Sequence, residues 1–83
     1  MAALRLYDRV ALKMAVPEHG LRAGDVATLV EFVDHPDNGP RGCVLEVFNA
    51  VGESIAVFTI AESAVELLRP DEIFAVRPLA KAG

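Results

Sequence analysis

Short runs of apolar residues, separated by turn-forming residues, recur along the chain. Residues 9–14 alternate apolar side chains with polar or small ones, which is the period of two typical of a half-buried strand. Similar runs, rich in β-branched and aromatic side chains, occupy residues 26–33, 43–49, 54–60 and 73–77. The pattern therefore predicts five short strands.

Glycine, proline, aspartate and asparagine mark the connections between these strands. Gly24 and Asp25 are expected to form a tight turn before the second strand, with the glycine at positive φ. Residues 34–42 form a long polar loop after that strand. Residues 50–53 have the length of a hairpin loop, so the third and fourth strands are predicted to pair.

The segment after the fourth strand has two interpretations. Ser63 and Glu66 have the spacing of a capping box, which predicts a helix of one or two turns before Pro70. The alternative is that residues 64–68 continue in extended form. Residues 73–77 would supply the last strand in either case.

Five short strands and at most one brief helical turn predict an all-β fold, either a small barrel or a strongly twisted antiparallel sheet. The chain has 83 residues, and a chain of this size buries only roughly 60–65% of the surface that its unfolded form exposes. We therefore expect one domain, with an ordered core over residues 6–78 and a tail at residues 79–83.

Apolar residues occupy both faces of two predicted strands. Strict alternation places Phe32 on one face of residues 26–33 and Val33 on the other, and residues 54–60 are also apolar on both sides. Hydrophobic residues make up 53% of the chain, and the mean hydropathy of +0.36 is high for so small a domain. We expect the surplus apolar surface to contact a second copy or another protein. Exposed valines on a closed barrel are the alternative.

The charge and the cysteine content limit the kinds of partner and the cellular compartment that we expect. Twelve acidic and eight basic residues give a net charge of −4 without a basic cluster, which disfavours nucleic acid. A single cysteine cannot form an intramolecular disulfide and indicates a reducing, cytoplasmic setting. No apolar run approaches the ~20 residues of a membrane span, and no export signal is evident.

Four stretches carry a family resemblance: residues 6–12 (LYDRVAL), residues 16–30 with their Pro-Glu-x-Gly-Leu-x-x-Gly pattern, residues 44–48 and residues 52–60. Over about residues 6–70 the chain resembles a bacterial family known as a domain of unknown function, DUF4926. The resemblance implies a compact SH3-like barrel. It brings no activity, catalytic residue or cofactor, and it suggests an accessory or immunity-type partner of other proteins.

Two departures from the family pattern concern the turn and the C-terminus. Gly24 is followed by Ala27 where family members tend to have a second glycine, so the strand is expected to bend less. Residues 68–70 and 76–78 could each match the closing segment. The Gly24 turn also looks like that of KOW-type barrels, which offers RNA binding through Arg22 as a further reading, although the acidic charge disfavours it.

Candidate catalytic and metal-binding groups are sparse. His19 and His35 lie beside carboxylates in predicted loops, but neither has the short histidine spacing that organises a metal site. Cys43 begins an apolar strand and is expected to be a small buried hydrophobe. Ser54 and Ser63 match turn and cap positions. We therefore predict no enzyme, no cofactor and no metal.

The sequence favours a non-enzymatic protein-interaction module that acts as a homo-oligomer or on a protein partner. The candidate binding residues combine two apolar strand positions with polar loop residues: Arg22, Asp34, His35, Asp37, Arg41, Val57 and Phe58. The alternative is a ligand-responsive regulatory module, with a groove near His19 and His35 that takes a small molecule or a metal.

Overall fold

The computed structural model describes residues 3–35, 37 and 39–79 and confirms the all-β class. Five antiparallel strands form one sheet that does not close into a barrel. In sheet order they are β4 (Ser54–Ala61), β3 (Gly42–Phe48), β2 (Val26–Val33), β1 (Arg9–Leu12) and β5 (Val65–Leu67). Four of the five predicted strands therefore lie where the hydrophobic pattern placed them.

The core lies on one face of the sheet. Its least exposed side chains alternate along the three central strands and include Val10, Leu29, Cys43 and Leu45, each with no exposed surface. Leu29 and Leu45 are direct cross-strand partners, so their side chains meet at the centre of the sheet. The partly buried side chains of Ala56, Phe58 and Ile60 extend the core onto β4.

A β-bulge in β2 interrupts the alternation of its two faces. The register with β3 shifts between Leu29 and Glu31, so one extra residue is inserted and the alternation is displaced by one. Phe32 consequently packs against the core, whereas Val33 keeps 41% of its surface exposed. Had the alternation continued from the buried residues Ala27 and Leu29, Val33 would face the core and Phe32 would not.

The β3–β4 hairpin confirms the predicted pairing. Residues from Gly42 to Val47 face residues from Ala61 to Ala56 in continuous register. Asn49 organises the turn, because its side-chain oxygen accepts hydrogen bonds from the N–H groups of Val51 and Glu53 at 3.1 and 2.9 Å. Gly52 takes a positive φ of 87°, which glycine adopts without steric cost.

The loop between β1 and β2 contains the glycine turn that the sequence predicted. A 3-10 turn at Pro17–His19 ends at Gly20, and an isolated bridge joins the buried residues Val16 and Leu21. Gly24 has a φ of 93°, as predicted for the turn before β2. This loop packs on the core instead of extending into solvent.

The predicted capping-box helix is wrong, and the extended alternative holds for Val65–Leu67, whereas Ala64 belongs to a 3-10 turn. Only a 3-10 turn at Glu62–Ala64 forms, and no side chain caps it. Val65 then pairs with Leu12 and is 6% exposed. Burying a β-branched residue in the sheet outweighs a helical turn too short to be stable by itself.

The predicted strand at residues 73–77 is also absent from the structure. β5 at Val65–Leu67 occupies the edge beside β1, and it starts directly after the short turn that follows β4. Ile73 and Val76 are each 93% exposed, so this run buries no apolar face. No helix among the described residues is long and apolar enough to cross a membrane.

Candidate functional site

The outer edge of β4 is one of the two ends of the sheet. β4 is the terminal strand of the sheet, and among the described residues only β3 pairs with it. Terminal strands carry unpaired backbone N–H and C=O groups that can pair with another chain. The position and composition of β4 therefore decide what this surface can bind.

The hydrogen-bond register shows which backbone groups of β4 face outward. The N–H of Glu62 donates to the C=O of Arg41 at 3.0 Å. In an antiparallel ladder every second residue bonds to the same neighbour, so Ile60, Phe58 and Ala56 bond to β3. The residues between and after these, Val57, Thr59 and Ala61, direct their backbone groups away from β3, and we call these groups the β4 edge. The alternation does not reach Ile55, because the register passes from Val47–Ala56 to Phe48–Ser54 and leaves Ile55 unpaired at a bulge.

The β4 edge lacks the charges and prolines that usually protect a terminal strand. All eight residues of β4, SIAVFTIA, are uncharged, whereas natural edges are often blocked by lysine, proline or inward-pointing charges. Ile55 and Val57 retain 39% and 56% of their surface exposed. Glu53 and Glu62 lie just outside the two ends of the strand. The edge is thus a neutral, apolar ribbon with an acidic residue at each end.

Packing on the inner face holds β4 in place. The Phe58 ring packs against the core and stacks on the His19 imidazole, with ring centroids 5.0 Å apart and an interplanar angle of 20°. At the start of β4, the Ser54 hydroxyl donates to Glu46 Oε2 at 2.6 Å. These contacts restrain β4 on its inner face and at its start.

A cleft adjoins the C-terminal end of β4, and we call it the end cleft. It has a volume of about 310 Å³ and is lined by Val33, Asp34, His35, Pro40, Gly42, Thr59, Ile60 and Ala61. Asp34 and His35 thus lie beside the edge residues Thr59 and Ala61. Asp37 belongs to the same loop, and its N–H donates to His35 Nδ1 at 3.1 Å, which leaves His35 Nε2 to carry the proton of the neutral ring.

Arg41 packs over the ring of Phe32, next to the end cleft. Its guanidinium lies 3.6 Å from the centroid of the Phe32 ring and donates to Glu62 Oε2 at 2.6 Å. The hydrogen bond to Glu62 raises the pKa of Arg41 further, so this residue stays charged. An arginine between an aromatic ring and a carboxylate is restrained, and it presents a defined polar group beside the β4 edge.

Two of the seven sequence-predicted residues, Val57 and Phe58, lie on β4. Four lie in the β2–β3 loop, next to the C-terminal end of β4: Asp34, His35, Asp37 and Arg41. Arg22 lies elsewhere. The N–H of Arg22 donates to Asp25 Oδ2 at 2.7 Å in the turn before β2, and Asp25 also forms an ion pair with Arg77. Val57 is an outward residue, whereas Phe58 faces the core. Sequence reasoning missed Thr59 and Ala61, which the absence of charge across residues 54–61 could have indicated.

The histidines of the alternative ligand site are not brought together. His19 packs on Phe58, whereas His35 lines the end cleft. The described residues contain no group of three or more histidine, cysteine, aspartate or glutamate side chains that could hold a metal ion. A larger groove of about 710 Å³ lies between β1, the Gly24 turn and residues 66–74, and neither histidine lines it.

Cys43 is the buried thiol that its sequence position predicted, with no exposed surface. Burial raises the pKa of the Cys43 thiol, because the thiolate loses its hydration, and the nearby Glu62 carboxylate adds to the rise. The folded protein therefore holds this proton to a higher pH than the unfolded chain. The thiol is unsuited to act as a nucleophile at neutral pH.

The raised pKa of the Cys43 thiol predicts that the protein loses stability in alkaline solution. Below the pKa of an unfolded cysteine, about 8.5, both states are protonated and Cys43 introduces no pH dependence. Above that value the unfolded chain ionises first, so the free energy of unfolding should fall as the pH rises toward the raised pKa of the folded protein. Urea denaturation from pH 7 to pH 10 would measure the slope.

The Cys43→Ala variant is the control for this measurement, because it retains every other titrating group. We expect a shallower alkaline decline in this variant, although it is less stable at all pH values. Equal slopes for the two proteins would contradict the assignment.

Comparison with known proteins identifies the family. The sequence profile of a family described as "Domain of unknown function (DUF4926)" matches residues 6–67. This span begins before β1 and ends at the last residue of β5, so it contains the whole sheet. Searches among curated proteins and among solved structures found no match. The chain belongs to the DUF4926 family.

Proposed function

We propose that this protein is a non-enzymatic interaction module that binds another protein chain by strand addition at the β4 edge. The observation that carries the proposal is the terminal β4 strand, whose eight residues contain neither a charge nor a proline. In strand addition the main-chain hydrogen bonds provide affinity, and alternate side chains provide specificity. The β4 edge offers both kinds of contact.

The side chains next to the edge support a specific contact. Val57 is 56% exposed on the face of the sheet opposite the core, where an added strand would place its own alternate side chains. At the C-terminal end of β4, the end cleft could take a larger side chain of the partner. Arg41 and Asp34 border this end and offer charges of both signs.

The side chains that could take part in catalysis lie apart from one another, which supports a binding role over a catalytic one. Catalysis by a nucleophile or a general base requires several groups within hydrogen-bond reach of one reacting atom. Here Cys43 is buried, His19 packs on an aromatic ring and His35 accepts from a neighbouring backbone N–H. These three groups act in separate surroundings.

Affinity capture with immobilised protein tests the proposal. The Val57→Lys variant places a long charged side chain on the outward side of the β4 edge, and Val57 is exposed enough for the fold to tolerate it. We expect proteins that the wild type retains from a cell extract to be lost, with recovery reduced at least about tenfold, which corresponds to about 1.4 kcal/mol.

The matched control is Val51→Lys. It makes the same chemical change at a residue that is 81% exposed in the hairpin turn, outside β4. This variant should retain the wild-type partners. The proposal is refuted if Val57→Lys is folded, as judged by circular dichroism, and still captures the same proteins as the control.

A further inference from the structure

We propose that residues 68–79, which follow β5, form a strap that lies over the outer face of β1 and is released as a unit when one ion pair breaks. We call this segment the C-terminal strap. It lies beyond residues 6–67, the span that the family profile matches. β1 and β5 lie at the opposite end of the sheet from β4, so the strap and the β4 edge are separate features.

Arg77 fastens the C-terminal strap to the turn before β2. Its guanidinium donates two hydrogen bonds to the Asp25 carboxylate, one from Nε to Oδ1 at 3.2 Å and one from a terminal nitrogen to Oδ2. The Arg77 and Asp25 side chains are 24% and 21% exposed, whereas the other residues from 71 to 79 are all exposed. A bidentate pair that is partly shielded from water is stronger than an ordinary surface ion pair. Arg77 is therefore the latch of the strap.

Asp25 is held in position by contacts that do not involve the strap. Its C=O accepts a hydrogen bond from the N–H of Leu12 at 2.9 Å, and its carboxylate Oδ2 accepts one from the N–H of Arg22 at 2.7 Å. Gly24, at a φ of 93°, allows the turn that brings these groups together. The carboxylate therefore keeps its place when the strap leaves.

A weaker contact holds the strap near the start of β1. Arg9 is the first residue of β1, and its guanidinium carbon lies 5.9 Å from the centroid of the Phe74 ring, near the limit of a cation–π contact. Phe74 remains 66% exposed. Because Asp25 is bonded to Leu12, the last residue of β1, the two contacts lie at opposite ends of that strand.

The strap covers the outer face of β1. Val10 and Leu12 belong to the core, so Ala11 between them points to the opposite face of the sheet. Ala11 is nevertheless only 6% exposed. It lines the groove of about 710 Å³ together with the strap residues Ile73 and Phe74. The strap thus forms one wall of this groove, and its release would leave an open face.

The backbone of the strap contributes little to its attachment. Among the described residues, no backbone hydrogen bond joins residues 70–79 to the sheet. Ile73 and Val76 are each 93% exposed, so these side chains bury almost no apolar surface. Segments with few backbone bonds and little buried surface open at a small cost in free energy. Loss of the Arg77 latch should therefore release the strap while the sheet stays folded.

Nitrogen-15 relaxation of the whole 83-residue chain tests the latch by comparing the wild type with Arg77→Gln. Glutamine removes the charge and the bidentate donor pair. In the wild type we expect backbone order parameters for residues 71–77 near those of rigid backbone, about 0.85. In Arg77→Gln they should fall below about 0.6, the range of flexible backbone, while the strands keep their wild-type values.

Two further variants accompany this comparison. Arg69→Gln is the matched control, because it makes the same chemical change at a strap arginine whose ion-pair partners, Asp71 and Glu72, lie in the strap itself. It should keep the wild-type order parameters. Asp25→Asn removes the charge from the other side of the latch and should loosen the strap as Arg77→Gln does.

A soluble nitroxide added to the solution reports whether the strap covers β1. Its paramagnetic broadening of the Ala11 methyl signal should increase in Arg77→Gln relative to the wild type. Wild-type order parameters in Arg77→Gln, or an equal loss of order in Arg69→Gln, would overturn the latch. A strap that is already flexible in the wild type, or unchanged broadening of Ala11 in Arg77→Gln, would overturn the strap itself.

Discussion

Replacing Leu45 with alanine is expected to lower the free energy of unfolding by about 3 kcal/mol. Leu45 lies in β3 with no exposed surface, opposite Leu29 on one side and Phe58 on the other. Truncation removes contacts to both neighbouring strands and leaves a cavity that close-packed side chains can fill only in part.

Urea denaturation of the wild type and the variant measures this difference. Small domains have a total stability of about 5–15 kcal/mol, so the midpoint should shift by a large fraction of its wild-type value. Leu6→Ala is the matched control, because Leu6 is 47% exposed and the same truncation there should cost far less. Equal losses for both variants would mean that Leu45 does not anchor the core.

A proline in β4 should have opposite consequences at two adjacent residues. Phe58 directs its N–H toward β3, so Phe58→Pro removes a ladder hydrogen bond together with a ring packed on the core, and should destabilise the fold by about 3 kcal/mol or more. Val57 directs its N–H outward, and proline is tolerated at such positions of a terminal strand. Val57→Pro should therefore remain folded.

Comparison with Phe58→Ala separates the lost backbone bond from the lost aromatic ring. Thermal or urea unfolding would rank the three variants, with Phe58→Pro less stable than Phe58→Ala and Val57→Pro the most stable. Similar stabilities for the two proline variants would contradict the assignment of outward groups on β4. A folded Val57→Pro protein would lack the outward N–H donor of residue 57. Unlike Val57→Lys, it would carry no added charge.

The candidate site could be predicted in part, because its residues occupy recognisable local patterns. The apolar run of residues 54–60 identified β4, and the polar loop before Gly42 supplied Asp34, His35 and Arg41. Sequence could not pair Arg41 with Glu62, since the two are 21 residues apart and meet only through the β3–β4 register. Nor could it show that Phe58 faces the core while Val57 faces outward from an unpaired edge.

Arg22 is a candidate residue whose local structure was predicted but whose position in the fold was not. Its turn was predicted correctly, with Gly24 at positive φ, but its place relative to β4 was not. His19 of the same β1–β2 loop stacks on Phe58 of β4, whereas the N–H of Arg22 bonds to Asp25 within the turn before β2. A local motif identifies a turn, whereas tertiary packing decides which of its residues reach another strand.

The sequence by itself determined the elements that depend on neighbouring residues: the positions of β1 to β4, the hairpin between β3 and β4, and the turn at Gly24. Alternation, β-branched side chains and glycine conformation act within a few residues, so they are visible in the sequence. The tertiary structure alone decided that β5 forms the edge beside β1, that a bulge turns Phe32 toward the core and that β4 has no second partner strand among the described residues. These outcomes depend on which distant strands compete for the same backbone hydrogen bonds and the same buried surface.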